Sequence, residues 1–178
     1  ERGCIIVDEN METSASDIYA IGEVALFNNF IYGLVAPGYD MADVLARKLC
    51  SIEGKAFHGA DMSTKLKLIG VDVASFGDAF STLEGSESIV YKNRKKGIYK
   101  RINFDPAANL LTGGILVGDA EEYNMLLQMV NNKIKLPEDP EGLILGSRGG
   151  ESAGMSVLDL PDEALVCTCE SVSKGSLC

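Results

Sequence analysis

The stretch that decides the fold is residues 16–25, SDIYAIGEVA, an apolar run that ends in a glycine and then a carboxylate. Residues 18–21 predict a short strand that is buried on both faces, as in a parallel sheet. An ionised carboxylate at the end of such a strand is costly unless a partner hydrogen-bonds it. Glu23 therefore needs either a ligand or water as its partner, and the residues alone also fit a surface carboxylate just past a strand end.

The net charge of the chain argues against some classes of binding partner. The 178 residues include 26 acidic and 16 basic side chains, which gives a net charge of -10. The one dense basic cluster, KNRKK at 92–96, contains no aromatic residue. We therefore expect no nucleic-acid partner. No apolar stretch approaches the ~20 residues of a membrane span and no leader opens the chain, so we expect no membrane association and a cytoplasmic location.

The five cysteines predict no disulfide framework, because their number is odd and three of them crowd the end of the chain. Cys167 and Cys169 form a Cys-x-Cys pair, which in a reducing compartment is typical of metal or cluster ligands, although two thiolates alone complete no site. The single histidine, His58, lies in a loop without a second ligand nearby, and we expect it to be an exposed polar residue. Glu1 and the terminal Cys178 suggest that both ends are cut.

Four segments follow from the pattern along the chain. Residues 1–55 contain a strand at 3–7 and a helix near 41–50, with Asp40 placed to cap its first turn. Residues 56–136 predict an antiparallel meander followed by a helix that opens on a capping box of Asp119 and Glu122. Residues 137–160 have the composition of a linker. Residues 161–178 are too short to fold alone and predict the start of a further module.

Residues 13–25, TSASDIYAIGEVA, resemble a flavin-contacting segment of the pyridine-nucleotide-dependent FAD reductases. Glu23 stands where most members have aspartate, a variation usual in the large-subunit family of the cytoplasmic NAD(P)H-dependent nitrite reductases. Five further segments resemble that family, at 34–46 (LVAPGYDMADVLA), 59–78 (GADMSTKLKLIGVDVASFGD), 98–104 (IYKRINF), 113–130 (GGILVGDAEEYNMLLQMV) and 136–145 (LPEDPEGLIL). The resemblance implies an α/β plus α+β fold, in which the carboxyl-terminal part of an FAD-binding domain precedes a small interface domain of antiparallel sheet and helix.

The resemblance also implies roles for particular residues. Gly22 and Glu23 would contact FAD, with the carboxylate on a ribityl hydroxyl. The backbone of Pro37, Gly38 and Tyr39 would lie near the isoalloxazine ring just before the helix, although a plain turn explains these residues equally well. Cys167 and Cys169 would supply half of the ligands of a 2Fe-2S cluster. No residue of the chain is expected to be catalytic.

The implied activity is that of an enzyme with several redox centres. Electrons from NAD(P)H would pass through FAD and iron-sulfur centres to siroheme coupled to a 4Fe-4S cluster, where nitrite is reduced to ammonium. A small subunit and a homodimer are possible partners. The chain alone lacks the family's pyrophosphate-binding glycine loop, so we expect it to be inactive and largely free of cofactor.

Two alternatives stay open at this point. The chain also fits another FAD-dependent NAD(P)H reductase that supplies a ferredoxin, a rubredoxin or a nitrate reductase. The arrival of Cys167 and Cys169 after residue 160 argues against that reading. Residues 60–135 also fit a packing or dimerisation domain that takes no part in catalysis.

Overall fold

The chain divides between Met62 and Ser63 into two units, Glu1–Met62 and Ser63–Cys178. The structure, a computed structural model, describes residues 3–145, 161–167 and 172–177. Most of the segment predicted as a linker, 137–160, lies outside the described residues, as does Cys169. Within the described ranges, no helix is both long and apolar enough to cross a membrane.

The first unit carries a three-stranded sheet in the order β1 (Ile5–Ile6), β2 (Ala25–Phe27) and β3 (Phe30–Ile31). β1 runs parallel to β2, and β2 pairs antiparallel with β3. Asn28 and Asn29 form the turn between β2 and β3 with φ of 47° and 64°. These left-handed values suit a two-residue hairpin, and asparagine tolerates them better than most residues. The strand predicted at 3–7 is confirmed in a shorter form.

The strand predicted at residues 18–21 is wrong. Of this run only Tyr19 makes a bridge, an isolated one with Glu12. Ile18 is 57 % exposed and Ile21 is 37 % exposed, so the run is not buried on both faces. The left-handed backbone at Gly22, with φ of 75°, leads into a 3-10 turn over Gly22–Val24, and the buried strand β2 begins only after that turn.

Helix α1 spans Val35–Leu49 and begins six residues before the predicted start. Pro37 lies in its first turn, where an amide has no intrahelical acceptor in any case, so proline does not stop the helix there. The N-cap residue is Leu34, without a side-chain cap. The prediction that Asp40 caps the first turn is therefore wrong, and Asp40 instead accepts from Lys55 Nζ at 3.0 Å.

Phe57 ties the segment after α1 to the sheet of the first unit. Its side chain is 2 % exposed, and its ring lies 5.1 Å from that of Phe27 and 5.2 Å from that of Tyr32, centroid to centroid. Both pairs are edge-on, a favoured arrangement of aromatic rings. Burial raises the pKa of Tyr32, and a hydrogen bond from the Ala60 backbone only partly opposes this. His58, next to Phe57, is exposed as predicted.

The second unit is a five-stranded antiparallel sheet. Its strands follow the spatial order β4, β5, β8, β7, β6. Their bounds are β4 (Thr64–Leu68), β5 (Val71–Gly77), β6 (Glu87–Asn93), β7 (Ile98–Asp105) and β8 (Leu110–Val117). The predicted antiparallel sheet is confirmed, but it is no simple meander, because β8 inserts between β5 and β7. A separate small ribbon pairs β9 (Leu165–Cys167) with β10 (Val172–Ser173).

Helix α2 (Tyr123–Asn131) covers one face of this sheet, as predicted. Tyr123, Leu126 and Met129 of α2 are buried in one cluster with sheet residues such as Phe76 and Ile102. A short helix α3 (Gly142–Leu145) adds two further buried side chains to the same cluster. The core of the second unit therefore lies between the sheet and these helices.

Lys100 on β7 replaces the predicted capping box. Its side chain is 3 % exposed, and its Nζ lies 2.8 Å from Asp119 Oδ2 and 2.7 Å from Glu122 Oε1. Glu122 is the residue before α2 and makes no side-chain cap. Burial alone would lower the pKa of Lys100, but its hydrogen bonds to the two carboxylates outweigh burial and raise that pKa. The buried ammonium therefore holds both acidic side chains, and Asp119 Oδ1 also accepts from the Glu121 N–H at 3.2 Å.

Candidate functional site

Glu23 lies in the 3-10 turn that leads into β2, and this turn is fastened to α1. The Gly22 N–H donates to Met41 Sδ at 3.2 Å, and the Met41 side chain is fully buried. The Ala25 N–H closes the turn on the Gly22 carbonyl. The position of Glu23 is thus set from both sides, by helix α1 and by the buried strand β2.

The Glu23 side chain reaches towards the start of α1. A Cβ built on Gly33 would lie 3.2 Å from Glu23 Oε1 and 3.6 Å from Glu23 Cδ. Gly33 precedes Leu34, the N-cap of α1. Glu23 itself is exposed, and the described residues make no hydrogen bond or ion pair with its carboxylate. A carboxylate in this place is favourable because the amino end of a helix carries partial positive charge.

The first turn of α1 adds hydrogen-bond donors to this surface. The first amides of an α-helix have no intrahelical acceptor, and α1 has no side-chain cap to satisfy them. Val35 and Tyr39 are 75 % and 74 % exposed, and a Cβ on Gly38 would meet nothing within 4 Å. The carboxylate can therefore accept a hydrogen bond from a hydroxyl while nearby amides donate to an electron-rich oxygen. We call Gly22, Glu23, Gly33 and Val35–Tyr39 the Glu23 surface.

The structure places the predicted flavin residues together in part. Gly22 and Glu23 lie against α1, as the Met41 and Gly33 contacts establish. Pro37, Gly38 and Tyr39 were expected just before the helix, but they lie within it. The Pro37 side chain faces the core, and only Tyr39 presents a largely exposed side chain.

Gly33 and Met41 are the two residues that the sequence did not single out. Met41 fitted the apolar stripe of a helix, which gave no sign of its contact with Gly22. Gly33 matters because its missing side chain leaves room for the Glu23 carboxylate, and no residue pattern in the sequence indicates such room. A glycine two residues before an exposed helix start was the only available signal.

The predicted cluster ligands are placed only in part. The backbone of Cys167 ends β9, and Cys169 lies outside the described residues. Cys50 is an exposed free thiol, and Cys4 Sγ lies 4.0 Å from the backbone oxygen of Glu23. In the part of the chain that the structure describes, no three or more Cys, His, Asp or Glu side chains are grouped as a metal site would require.

A second cleft of the first unit, about 330 Å³ in volume, has Arg47, Lys48 and Lys55 among its lining residues. Each of these cations already pairs with a carboxylate of the same unit. Arg47 pairs with Asp43, Lys48 with Glu12 and Lys55 with Asp40. The cleft is therefore not an obvious anion site, and the Glu23 surface is the better candidate.

Comparison with known proteins agrees with the resemblance seen in the sequence. Residues 63–134 match the family model described as the rubredoxin NAD+ reductase C-terminal domain. The chain is 50 % identical over 181 residues to the nitrite reductase [NAD(P)H] large subunit of Klebsiella oxytoca, covering 100 % of this chain and 19 % of that protein. It is 48 % identical to the nitrite reductase (NADH) large subunit of Escherichia coli K12, covering 99 % of this chain and 21 % of that protein.

The chain is homologous to the large subunits of NAD(P)H nitrite reductases. It spans about a fifth of the length of these nitrite reductase subunits. Among solved structures, NADH:rubredoxin oxidoreductase from Clostridium acetobutylicum matches with a TM-score of 0.52 and 23 % identity, over 72 % of this chain and 32 % of that one. This likeness confirms the predicted fold, an α/β part followed by a domain of antiparallel sheet and helix.

Proposed function

We propose that the chain is part of the flavoprotein electron-transfer module of an NAD(P)H-dependent nitrite reductase and that its Glu23 surface contributes to binding FAD. The observation that carries this proposal is the exposed Glu23 carboxylate beside the amino end of α1, in a chain 50 % identical to a nitrite reductase large subunit. Full-length relatives at this identity give the proposal its reaction, the reduction of nitrite by NAD(P)H.

The residues of the Glu23 surface fit the chemistry of a flavin nucleotide. FAD offers hydroxyls along its ribityl chain and electron-rich oxygens on its ring, and the surface offers an acceptor and a set of donors for them. Glu23 would accept from a hydroxyl, and the free amides of Val35 and Ala36 at the start of α1 would donate to an oxygen. Gly22 would let the chain turn towards the ligand, since its φ of 75° suits glycine.

FAD held on this surface would supply hydride acceptance from a reduced nicotinamide and release of single electrons. The residues of this chain would bind and orient it. Pro37, in the first turn of α1, has no amide hydrogen of its own and keeps its side chain in the core, which leaves the outer surface of that turn open. Tyr39, exposed on that turn, is placed to cover a planar ligand. We assign no proton transfer to any of these residues.

The remaining parts of the proposal concern the whole protein. We propose that Cys167 and Cys169 begin the ligand set of a 2Fe-2S cluster, and that siroheme and a 4Fe-4S cluster belong to other parts of the protein. The domain division at residues 55, 136 and 160, the cytoplasmic location, a small subunit and a homodimer are predictions in the same sense. The chain alone is expected to be inactive.

Substitution of Glu23 in the full-length protein tests the proposal. Glu23→Ala removes the carboxylate, and we expect the dissociation constant for FAD to rise about 10- to 100-fold, the range for loss of a charge-assisted hydrogen bond. Titration of the apoprotein with FAD, followed by flavin fluorescence, measures it. Glu53→Gln, at an exposed carboxylate of the same unit, is the control. Equal affinities for the two variants would overturn the role of Glu23.

A second candidate function is supported by one relative. The chain is 32 % identical to the assimilatory nitrate reductase electron transfer subunit of Bacillus subtilis, covering 97 % of this chain and 22 % of that protein. In this alternative the Glu23 surface still binds FAD, but the electrons leave for a separate nitrate reductase. The absorption spectrum of the full-length protein distinguishes the two, because siroheme bands support nitrite reduction and flavin bands alone support the alternative.

A further inference from the structure

We propose that Gly33 is a positioning residue for FAD, because the room left by its missing side chain is what the longer arm of Glu23 occupies. This inference rests on the proposed role of Glu23 in binding FAD. The three atoms nearest to a Cβ built on Gly33 are all Glu23 side-chain atoms, Oε1 at 3.2 Å, Cδ at 3.6 Å and Cγ at 3.9 Å. Glu23 and Gly33 are therefore matched in size.

The backbone at Gly33 does not by itself require glycine. Gly33 is absent from the residues with positive φ, so an alanine there adopts the same backbone without strain. A side chain at position 33 would therefore act through the neighbouring atoms that it contacts, and not through backbone strain. Since the three nearest atoms that it would meet all belong to the Glu23 side chain, with Oε1 the closest at 3.2 Å, the carboxylate is what must move.

The turn that carries Glu23 has little freedom to retreat from such a side chain. The Gly22 N–H is held by Met41 Sδ at 3.2 Å, and Ala25 at the other end of the turn is fully buried. The displacement therefore falls on the torsion angles of the Glu23 side chain. A shift of a few tenths of an ångström moves the oxygen that would accept from the ligand while leaving the fold in place.

The same reasoning links the size of residue 23 to residue 33. An aspartate at position 23 is shorter by one methylene and would withdraw its carboxylate from a Cβ at position 33. Glutamate with glycine, or aspartate with a larger residue, would each keep the contact free of overlap. A glycine at position 33 thus accommodates the longer side chain of glutamate at position 23.

A double-mutant cycle in the full-length apoprotein, titrated with FAD and followed by flavin fluorescence, tests this inference. Gly33→Ala should raise the dissociation constant for FAD about fivefold, as for a weakened hydrogen bond. In a Glu23→Ala background the same change should have no effect, because the side chain that it displaces is gone. Adding Glu23→Asp to Gly33→Ala should restore part of the lost affinity. Thermal unfolding of each apoprotein variant checks that the fold is kept.

The outcomes separate this inference from the proposed function. If Glu23→Ala leaves FAD binding unchanged, the role of Glu23 itself fails. If Glu23→Ala weakens binding but Gly33→Ala has the same effect with and without the Glu23 side chain, Glu23 keeps its role and Gly33 loses its own. An unchanged affinity in Gly33→Ala alone also overturns the positioning role.

Discussion

Replacing Lys100 with methionine tests how the second unit is held together. Lys100 lies on β7, and its Nζ contacts Asp119 Oδ2 at 2.8 Å and both oxygens of Glu122 at 2.7 Å. The two carboxylates lie in the segment between β8 and α2. Methionine keeps the length of the apolar stem but removes the charge. The substitution therefore cuts the link from β7 to the start of α2 with little change in packing volume.

The size of the effect follows from the exposure of the three side chains. Removing one partner of a buried ion pair costs about 3–5 kcal/mol, since a charge is left without its counterion. The Lys100 side chain is 3 % exposed, whereas those of Asp119 and Glu122 are 32 % and 17 % exposed. Water therefore reaches the two remaining carboxylates in part. We expect the lower end of the range, about 3 kcal/mol, which corresponds to about a 150-fold change in an equilibrium constant.

Hydrogen exchange followed by mass spectrometry measures this loss unit by unit, because the slowest amides of a unit report its opening free energy. Peptides from β7 and β8 should exchange about 150-fold faster in Lys100→Met than in the unmodified protein. Lys92→Met, at an exposed lysine of the neighbouring strand β6, is the matched control and should change little. A change of less than about fivefold in β7 and β8, or an equal change in Lys92→Met, would refute the reasoning.

Three further predictions concern other contacts. Burial alone would raise the pKa of Asp78. Hydrogen bonds from the Thr82 and Leu83 amides outweigh this effect, and the pKa of Asp78 is lowered. This contribution to stability is full above pH 3.8, the ordinary pKa, and is lost as pH falls below it, so Asp78→Asn should flatten the acid loss of stability measured by urea titration. Phe57→Ala should cost about 3–5 kcal/mol in the first unit, measured by exchange of its amides. Gly113→Ala would place a Cβ 2.4 Å from the Asp78 backbone nitrogen, and a lower melting temperature should result.

The strands of the second unit were partly predictable because their turns are marked in the sequence. NRKKG at 93–97 and DPAAN at 105–109 have the composition of turns, and they separate β6, β7 and β8. The turn between β4 and β5 was missed. Ile69 and Gly70 form it, both with positive φ, and Leu68 pairs directly with Val71. The two residues that flank a two-residue turn lie three positions apart in the chain, so the apolar alternation shifts by one residue between Leu68 and Val71. That shift, together with Gly70, was the signal that marked the turn.

The spatial order of the strands could not be predicted from the alternation of apolar residues. Alternation shows which residues share a face but does not show which hairpin a strand joins. β8 has β5 on one side and β7 on the other, and the first of these pairings links residues about forty positions apart in the chain. Such a contact depends on the packing of the whole sheet under α2 rather than on local preference.

The capping box failed for a related reason. Asp119 and Glu122 have the spacing that satisfies helix amides, but both carboxylates bind Lys100, which lies on another strand. A hydrogen bond to a buried ammonium is stronger than one to an exposed amide, because the charge would otherwise be left unpaired in the interior. Rules based on local sequence cannot predict this outcome, because only the folded chain brings Lys100 close to the two carboxylates.

The acidic side chains of the chain thus divide by what lies next to them. Asp119 and Glu122 are satisfied within the fold, and burial with a lysine makes them part of its stability. Glu23 is exposed at the amino end of α1, and the described residues give its carboxylate no hydrogen bond or ion pair. The resemblance to FAD reductases pointed to Glu23, but only the structure shows why glutamate fits there. Because Gly33 has no side chain, it leaves the room that the Glu23 carboxylate occupies. A search of the sequence for functional side chains does not find such a residue.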